Sequence, residues 1–318
     1  MTPHTRRGRI LRGLHALTRP PLRAVVAVGM FDGVHRAHQH LIRSAVRMAR
    51  HRRGTSVVLT FDPDPQAVLN PAGAQPALMP LHERLGHLQG LGADVVWIIP
   101  FTRRFARMTA AQFIRRILVG HLHAEVLVVG EAFAFGRNRR GDMEVLRALG
   151  PRCGMQVTPV RQMTDGGEPI SSSRIRRFIA KGQLGLARRL LGRAPALYGR
   201  VVRGAGRGRR FHVPTANVRL SPHVLPPTGV YAVLLRCAGR PRAFRGVMNL
   251  GIRPTFGASP LVCEVHLLGF SGTLMGRSVS VSLLARLRSE RCFPSPEALY
   301  QQVRRDLARA RRVFPRLT

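Results

Sequence analysis

The sequence predicts an α/β domain of the doubly wound kind, followed by an antiparallel β domain that ends in a helix. Three observations carry this. Short β-branched runs alternate with helix-length segments through the first half. Near residue 190 that rhythm gives way to strands separated only by Gly- and Pro-bearing turns. The chain then closes with a segment that opens on a helix-start signal, Ser295-Pro296. A chain of 318 residues exceeds one ordinary core and suits two compact domains. Its hydrophobic share of 45% is enough to fold and excludes wholesale disorder.

Taken in order, residues 25–29, 56–61, 95–101 and 125–130 are short and apolar, end at Gly, Pro or Asp, and read as buried strands. Between them, residues 38–51 and 109–119 are long enough for helices crossing over a parallel sheet. Such a sheet binds ligands beyond the carboxyl ends of its strands, which directs attention to the residues just after Gly29, Phe61, Phe101 and Gly130. Two short helical patterns follow over 172–191, with the linker near 186–197. Strands are then expected at 198–202, 229–235, 244–250, 262–270 and 278–284, the pattern of a compact barrel or sandwich. Ser295 is expected to cap the final helix with Pro296 at its first position, and Ala298, Val303, Leu307 and Val313 are available to pack on the β domain.

Lysine and arginine number 52 against 15 acids, a formal charge of +37, and Lys181 is the only lysine. The excess is spread along the chain, so it favours anionic ligands in general without selecting among nucleotides, nucleic acid and membrane surfaces. Four separated cysteines, Cys153, Cys237, Cys263 and Cys292, form no C-x-x-C pair and suit a reducing cytoplasm. No apolar stretch approaches eighteen residues and no signal-type apolar region follows the N-terminal arginines, so neither secretion nor a membrane partner is expected.

Gly29 to His38 join a strand end to a helix start. Backbone N–H groups and the positive helix end make such a junction an anion site. His35 and His38, three apart, lie on nearly one face, where both can donate to phosphate oxygens. In the second domain, Gly204 to Arg209 form a Gly-rich basic loop, and Pro214-Thr215-Ala216-Asn217 follows. Glycines allow close approach of backbone N–H groups to phosphate, while the Thr hydroxyl and Asn amide are neutral oxygen donors for Mg²⁺ or phosphate.

These segments together resemble one family, the prokaryotic bifunctional riboflavin kinase/FAD synthetases. Gly29 to His38 is similar to its G-x-F-D-G-x-H-x-G-H signature. Residues 61–65 (F-D-P-D-P), 130–136 (G-E-A-F-A-F-G) and 170–176 (I-S-S-S-R-I-R) resemble the later motifs of its nucleotidylyltransferase half. P-T-A-N at 214–217, G-V-M-N-L-G-I-R-P-T-F-G at 246–257 and E-V-H-L-L-G-F at 264–270 are similar to its riboflavin kinase half. The motifs fall in family order from about Leu11 to Phe314.

The resemblance implies a Rossmann-like nucleotidylyltransferase domain over 1–185 and a β-barrel riboflavin kinase domain over 190–318 with a terminal helix. It implies riboflavin, FMN and ATP as ligands, with Mg²⁺ accompanying ATP. In the first domain Gly29, Phe31, Asp32 and Gly33 would form the nucleotide loop and His35 and His38 would contact ATP phosphates. Ser172 and Arg174 would approach from the other side of the sheet. In the second, Gly204 and Gly208 would hold nucleotide, Thr215 and Asn217 the metal, and Glu264 would act as catalytic base. Ala37, Asp64 and Ala132 depart from the first half's pattern, Asp64 being expected to repel phosphate, and His212, Gly269 and Met275 depart from the second's. A kinase-only enzyme and a basic nucleic-acid-binding protein are the competing readings; an aromatic share of 6% and the absence of a basic stripe interleaved with stacking residues weigh against the latter.

Overall fold

The computed structural model describes residues 8–204, 215–240, 242–252 and 261–314. The chain divides into two compact units. The first comprises residues up to Pro76 together with Leu81–Ser172; the second comprises Ala77–Pro80 and the residues from Ser173 onward.

The first unit is a six-stranded parallel sheet of order β1-β4-β3-β2-β5-β6. Its strands are β1 (Arg9–Arg12), β2 (Ala24–Val28), β3 (Ser56–Asp62), β4 (Val95–Pro100), β5 (Ala124–Gly130) and β6 (Gln156–Val160). All five residues of β2 are buried, as a strand covered on both faces requires. Helix α1 (Arg36–His51) lies against the sheet through Leu41, Ile42, Ala45, Val46 and Ala49, a helical stripe of apolar residues. The remaining helices are α2 (Pro65–Leu69), α3 (Leu81–Gly90), α4 (Arg103–Ala106), α5 (Ala110–Gln112) and α6 (Met143–Leu149). The helix expected over 109–119 starts at a capping box between Thr109 and Gln112 and continues from α5 as a π-type helix, Phe113–His121. On the other side of the sheet from α1, Trp97, Phe113, Ile114, Ile117 and Leu127 form a core, and the indole Nε1 of Trp97 donates to the Gly13 carbonyl at 2.8 Å.

Strand order makes β2 the switch point. Going along the chain, β3, β4 and β1 lie to one side of it and β5 and β6 to the other. The loops after β2 and β5 therefore flank the crevice where an open parallel sheet binds its ligand. Edge strands β1 and β6 were not among the expected strands; their exposed or half-buried residues give no continuous apolar run. A two-residue ladder of β7 (Thr164–Asp165) with β8 (Glu168–Pro169) completes the unit.

The second unit contains α7 (Ser172–Ala180, whose first residue belongs to the first unit), α8 (Leu184–Leu191) and a closed six-stranded barrel. Its order is β10-β13-β12-β11-β14-β9, every pair antiparallel. The strands are β9 (Ala196–Val202), β10 (Thr215–Leu220), β11 (Gly229–Cys237), β12 (Phe244–Ile252), β13 (Leu261–Leu267) and β14 (Ser278–Arg288). Closure decides between barrel and sandwich. It also removes the exposed edges that a small antiparallel sheet would carry. Tyr231, Val233, Met248, Leu250, Val265 and Leu283 fill the interior. Helix α9 (Pro296–Val313), capped by Ser295, covers part of the outer face with Ala310, Val313 and the following Phe314. An ion pair of 2.9 Å between Arg288 Nε and the buried carboxylate of Asp306 fixes its register.

Candidate functional site

The loop leaving β2 is held by its own backbone and by its neighbours. Phe31 (φ 53°) and Val34 (φ 39°) both occupy the left-handed region, which costs energy in any residue with a Cβ and most in β-branched Val34. Gly33 takes φ 76° without that cost. The turn is over-determined from outside. Ser172 Oγ donates to the Asp32 carbonyl at 2.9 Å, Gln39 Nε2 to the Val34 carbonyl at 2.9 Å, and Thr60 Oγ1 to the Met30 carbonyl at 3.2 Å. Ser172 is thus held against the loop that follows β2. Gly29, Phe31, Asp32 and Gly33 follow one another there, the last three buried.

His35 is the N-cap of α1, its Nδ1 accepting from the backbone N–H of His38 at 3.4 Å. An accepting Nδ1 leaves the imidazole proton on Nε2, the donor a phosphate oxygen needs. His38 stacks on it with ring centroids 3.5 Å apart and planes 19° from parallel, and Phe31 meets His38 edge-on at 5.3 Å. Burial first, then His35 and then Arg84, hold the His38 imidazole well below its ordinary 6.5. Its Nδ1 is buried with no hydrogen-bond partner among the described residues. The two stacked rings stand at the positive end of a sixteen-residue helix, a position that favours an anion.

Arg84 of α3 is a residue that no sequence motif singled out. It is 6% exposed, and its Nη1 and Nη2 donate to the carbonyls of Met30 and Phe61, each at 2.9 Å. Asp64 serves a local purpose: its carboxylate caps α2 by accepting from Gln66 N at 2.8 Å. Around the carboxyl end of β4, Phe105 contacts Phe61, Phe101 and Phe113. Phe105 also lines a cleft of about 850 Å³ with Leu14, Ile99, Met108 and Ile117, and Arg104 and Arg107 stand at the same opening. Arg174 belongs to the second unit, where its guanidinium lies over the Phe178 ring at 5.4 Å.

In the barrel, strand register assembles the second group. Asn217 on β10 is directly opposite Glu264 on β13, and Asn249 on β12 is opposite Glu264 from the other side. Thr215 is opposite His266. Alternation along β13 buries Cys263, Val265 and Leu267 in the barrel and turns Glu264 and His266 to its outer face. Thr215, Asn217, Asn249 and Glu264 are all half-buried on that face. Burial and, second, the neighbouring Glu264 push the Cys263 thiol up to about 12, so it is inert packing. Gly204 touches the group from β9's end: a Cβ there would overlap the Asn217 carboxamide. Gly208 and His212, like residues 253–257, lie outside the described residues.

A family model described as FAD synthetase matches residues 18–174, and one described as riboflavin kinase matches residues 191–314. A bifunctional riboflavin kinase/FMN adenylyltransferase of Escherichia coli (strain K12) is 39% identical over 307 residues, covering 96% of this chain and 98% of the relative. The chain belongs to the bifunctional riboflavin kinase/FMN adenylyltransferase family. The family's protein from Haemophilus influenzae is 36% identical, with 96% and 99% of the two chains covered. A solved structure described as a macrolide-efflux protein from Streptococcus pneumoniae shares the fold, with a TM-score of 0.84 and 29% identity over 96% of this chain and 99% of that one. Among the described residues, no helix of this family member is long and apolar enough to cross a membrane.

The family's reactions call for Mg²⁺ with ATP. The donor set of Thr215 hydroxyl, Asn217 and Asn249 amides and Glu264 carboxylate consists of hard oxygen ligands, which fits Mg²⁺ shared with nucleotide phosphates.

Proposed function

We propose that this chain makes FMN from riboflavin in the barrel and FAD from FMN at the parallel sheet, each step consuming ATP. The observation that carries the reading is the pairing of two separate phosphate-handling groups in one chain. The His35/His38 cradle stands at the switch point of the first unit, and Asn217, Glu264 and Asn249 lie in register across three strands of the second.

In the kinase reaction Glu264 takes the proton of the terminal ribityl hydroxyl as that oxygen attacks the γ-phosphorus of ATP, and ADP leaves. Thr215 and Asn217 would hold Mg²⁺ with the nucleotide, and Gly204, with Gly208 beyond it, would let the chain pass close to the phosphates. The ion, when bound, neutralises phosphate charge. In the adenylyl reaction an FMN phosphate oxygen attacks the α-phosphorus of ATP and pyrophosphate leaves. His35 and His38 donate to the phosphates, helped by the backbone of Gly29, Phe31, Asp32 and Gly33 and by the α1 dipole. Ser172 fixes the loop through the Asp32 carbonyl, and Arg174 is proposed to reach the same phosphates with a bidentate fork. Chemistry here is mainly positioning and charge neutralisation.

We take the cleft at the carboxyl end of β4, lined by Phe105 and by apolar and basic residues including Leu14, Ile99, Arg104 and Arg107, as the candidate flavin pocket. We take the first catalytic domain as residues 1–185 and the second as 190–318, a reading supported by family matches that end at residue 174 and resume at 191. A cytoplasmic setting is supported by four free cysteines.

Incubating the pure chain with riboflavin and Mg-ATP and separating riboflavin, FMN and FAD over time tests the reading. FMN should appear first and FAD after it. Persistent FMN with no FAD would leave only the kinase, and salt-sensitive binding of random DNA without flavin turnover would favour the nucleic-acid reading instead.

A further inference from the structure

We infer that Arg84 is a positioning residue for adenylyl transfer, acting by clamping the phosphate loop after β2 to the end of β3. The inference rests on the adenylyl-transfer reading of the first unit. Burying a guanidinium is unfavourable unless its donors are satisfied and its charge is balanced. Here the fork spans two strand ends, Nη1 on the Met30 carbonyl and Nη2 on the Phe61 carbonyl, both at 2.9 Å, while the buried Nε has no hydrogen-bond partner among the described residues, so the two carbonyls carry the clamp. Burial pulls the Arg84 pKa below its ordinary value, and the negative charges of Asp32, Asp62 and Asp64 act against that pull. Asp62 ends β3, and Asp32 and Asp64 lie in the segments that follow β2 and β3, so the arginine is the positive centre of the strand-end region.

The clamp holds the residue immediately before the strained turn. Met30 precedes Phe31, and Phe31 and Val34 keep left-handed backbone only while their surroundings enforce it. The Met30 carbonyl accepts from Thr60 as well as Arg84, so the peptide that sets the start of the turn is fixed from two directions. His35 and His38 follow within eight residues of Met30 at the start of α1, and where that helix start stands relative to the strand ends depends on the path of the turn. A planar fork with fixed donor geometry does this better than the point charge of lysine. Arg84 also bears on His38 directly, since its charge is one of the causes that keep the imidazole uncharged.

The test compares Arg84→Met and Arg84→Lys with the parent chain in FMN-to-FAD conversion under saturating FMN and Mg-ATP. If the parent makes no FAD, the adenylyl-transfer reading has failed and not the clamp. With an active parent, Arg84→Met should lower kcat about 100-fold, the scale of an ångström-sized misplacement. Riboflavin phosphorylation by the same protein should be unchanged, and the His38 pKa followed by NMR should rise because a neighbouring positive charge has gone. Arg84→Lys keeps the charge and loses the fork: His38 should titrate as in the parent while kcat stays at least about tenfold low. Parental kcat in Arg84→Met, or in Arg84→Lys should the methionine variant not fold, would overturn the inference.

Discussion

Asn217 and Glu264 face each other across the β10–β13 ladder, a directly opposed pair on the outer face of the barrel. Strand pairing places opposed side chains about 5 Å apart at Cβ, so a neutral oxygen donor and a carboxylate are fixed together by backbone hydrogen bonds alone. With Asn249 on the far side of Glu264, the carboxylate is flanked by amides.

Gly204 is expected to be intolerant of even a methyl group. A Cβ there overlaps the Asn217 carboxamide, so Gly204→Ala should displace Asn217 from Glu264. Riboflavin phosphorylation should fall about tenfold or more while FMN adenylylation is unchanged. Steady-state rates for the two half-reactions, measured on the same preparation, check this; equal loss of both would point to misfolding.

Binding of ATP at the first unit should take up protons near neutral pH. Without ligand, burial first, then His35 and Arg84, hold the His38 pKa well below 6.5. A polyphosphate beside the ring favours the charged form and raises that pKa. Calorimetric titration of ATP in buffers of different ionisation enthalpy should show uptake in the parent and less in His38→Gln. Identical proton uptake in the two chains would remove His38 from the phosphate site.

The barrel unit should lose stability in mild acid because of His223. Its ring is 6% exposed and its Nε2 accepts from Tyr198 N at 3.2 Å. Burial lowers its pKa to about 4. The folded value lies below the ordinary 6.5, so the unfolded chain binds more protons between the two. Stability is therefore complete above about pH 6.5 and is lost as pH falls towards 4, by about 3 kcal/mol in all. His223→Gln retains an acceptor without that proton. Its unfolding temperature should fall less than the parent's between pH 7 and pH 5, as calorimetry would show.

Much of this was legible before any coordinates. The buried strands β2 to β5 announce themselves as apolar β-branched runs, whereas β10, which carries Thr215 and Asn217, was not among the expected strands, and its register against Glu264 exists only in the folded barrel. Other parts left little trace. Strand β6 carries Pro159 and only half-buried or exposed residues, which edge position permits and a sequence pattern hides. Strand β1 is Arg-Ile-Leu-Arg, with a charge at each end. Arg84 is one of 52 basic residues, and what distinguishes it, near-total burial on two carbonyls from distant strand ends, exists only in three dimensions. Asp64 shows the converse. Judged by charge it opposes phosphate, but the fold uses its carboxylate as a helix cap.

The central claim is that one chain carries two chemically separate transfer sites, and Glu264→Gln tests it most directly. The variant is given either riboflavin or FMN with Mg-ATP, and its products are separated alongside those of the parent. The account predicts that FMN formation from riboflavin collapses, about 100-fold or more for loss of the base, while FAD formation from FMN proceeds at the parental rate. Undiminished FMN formation, or loss of both activities in a variant that melts like the parent, would contradict it.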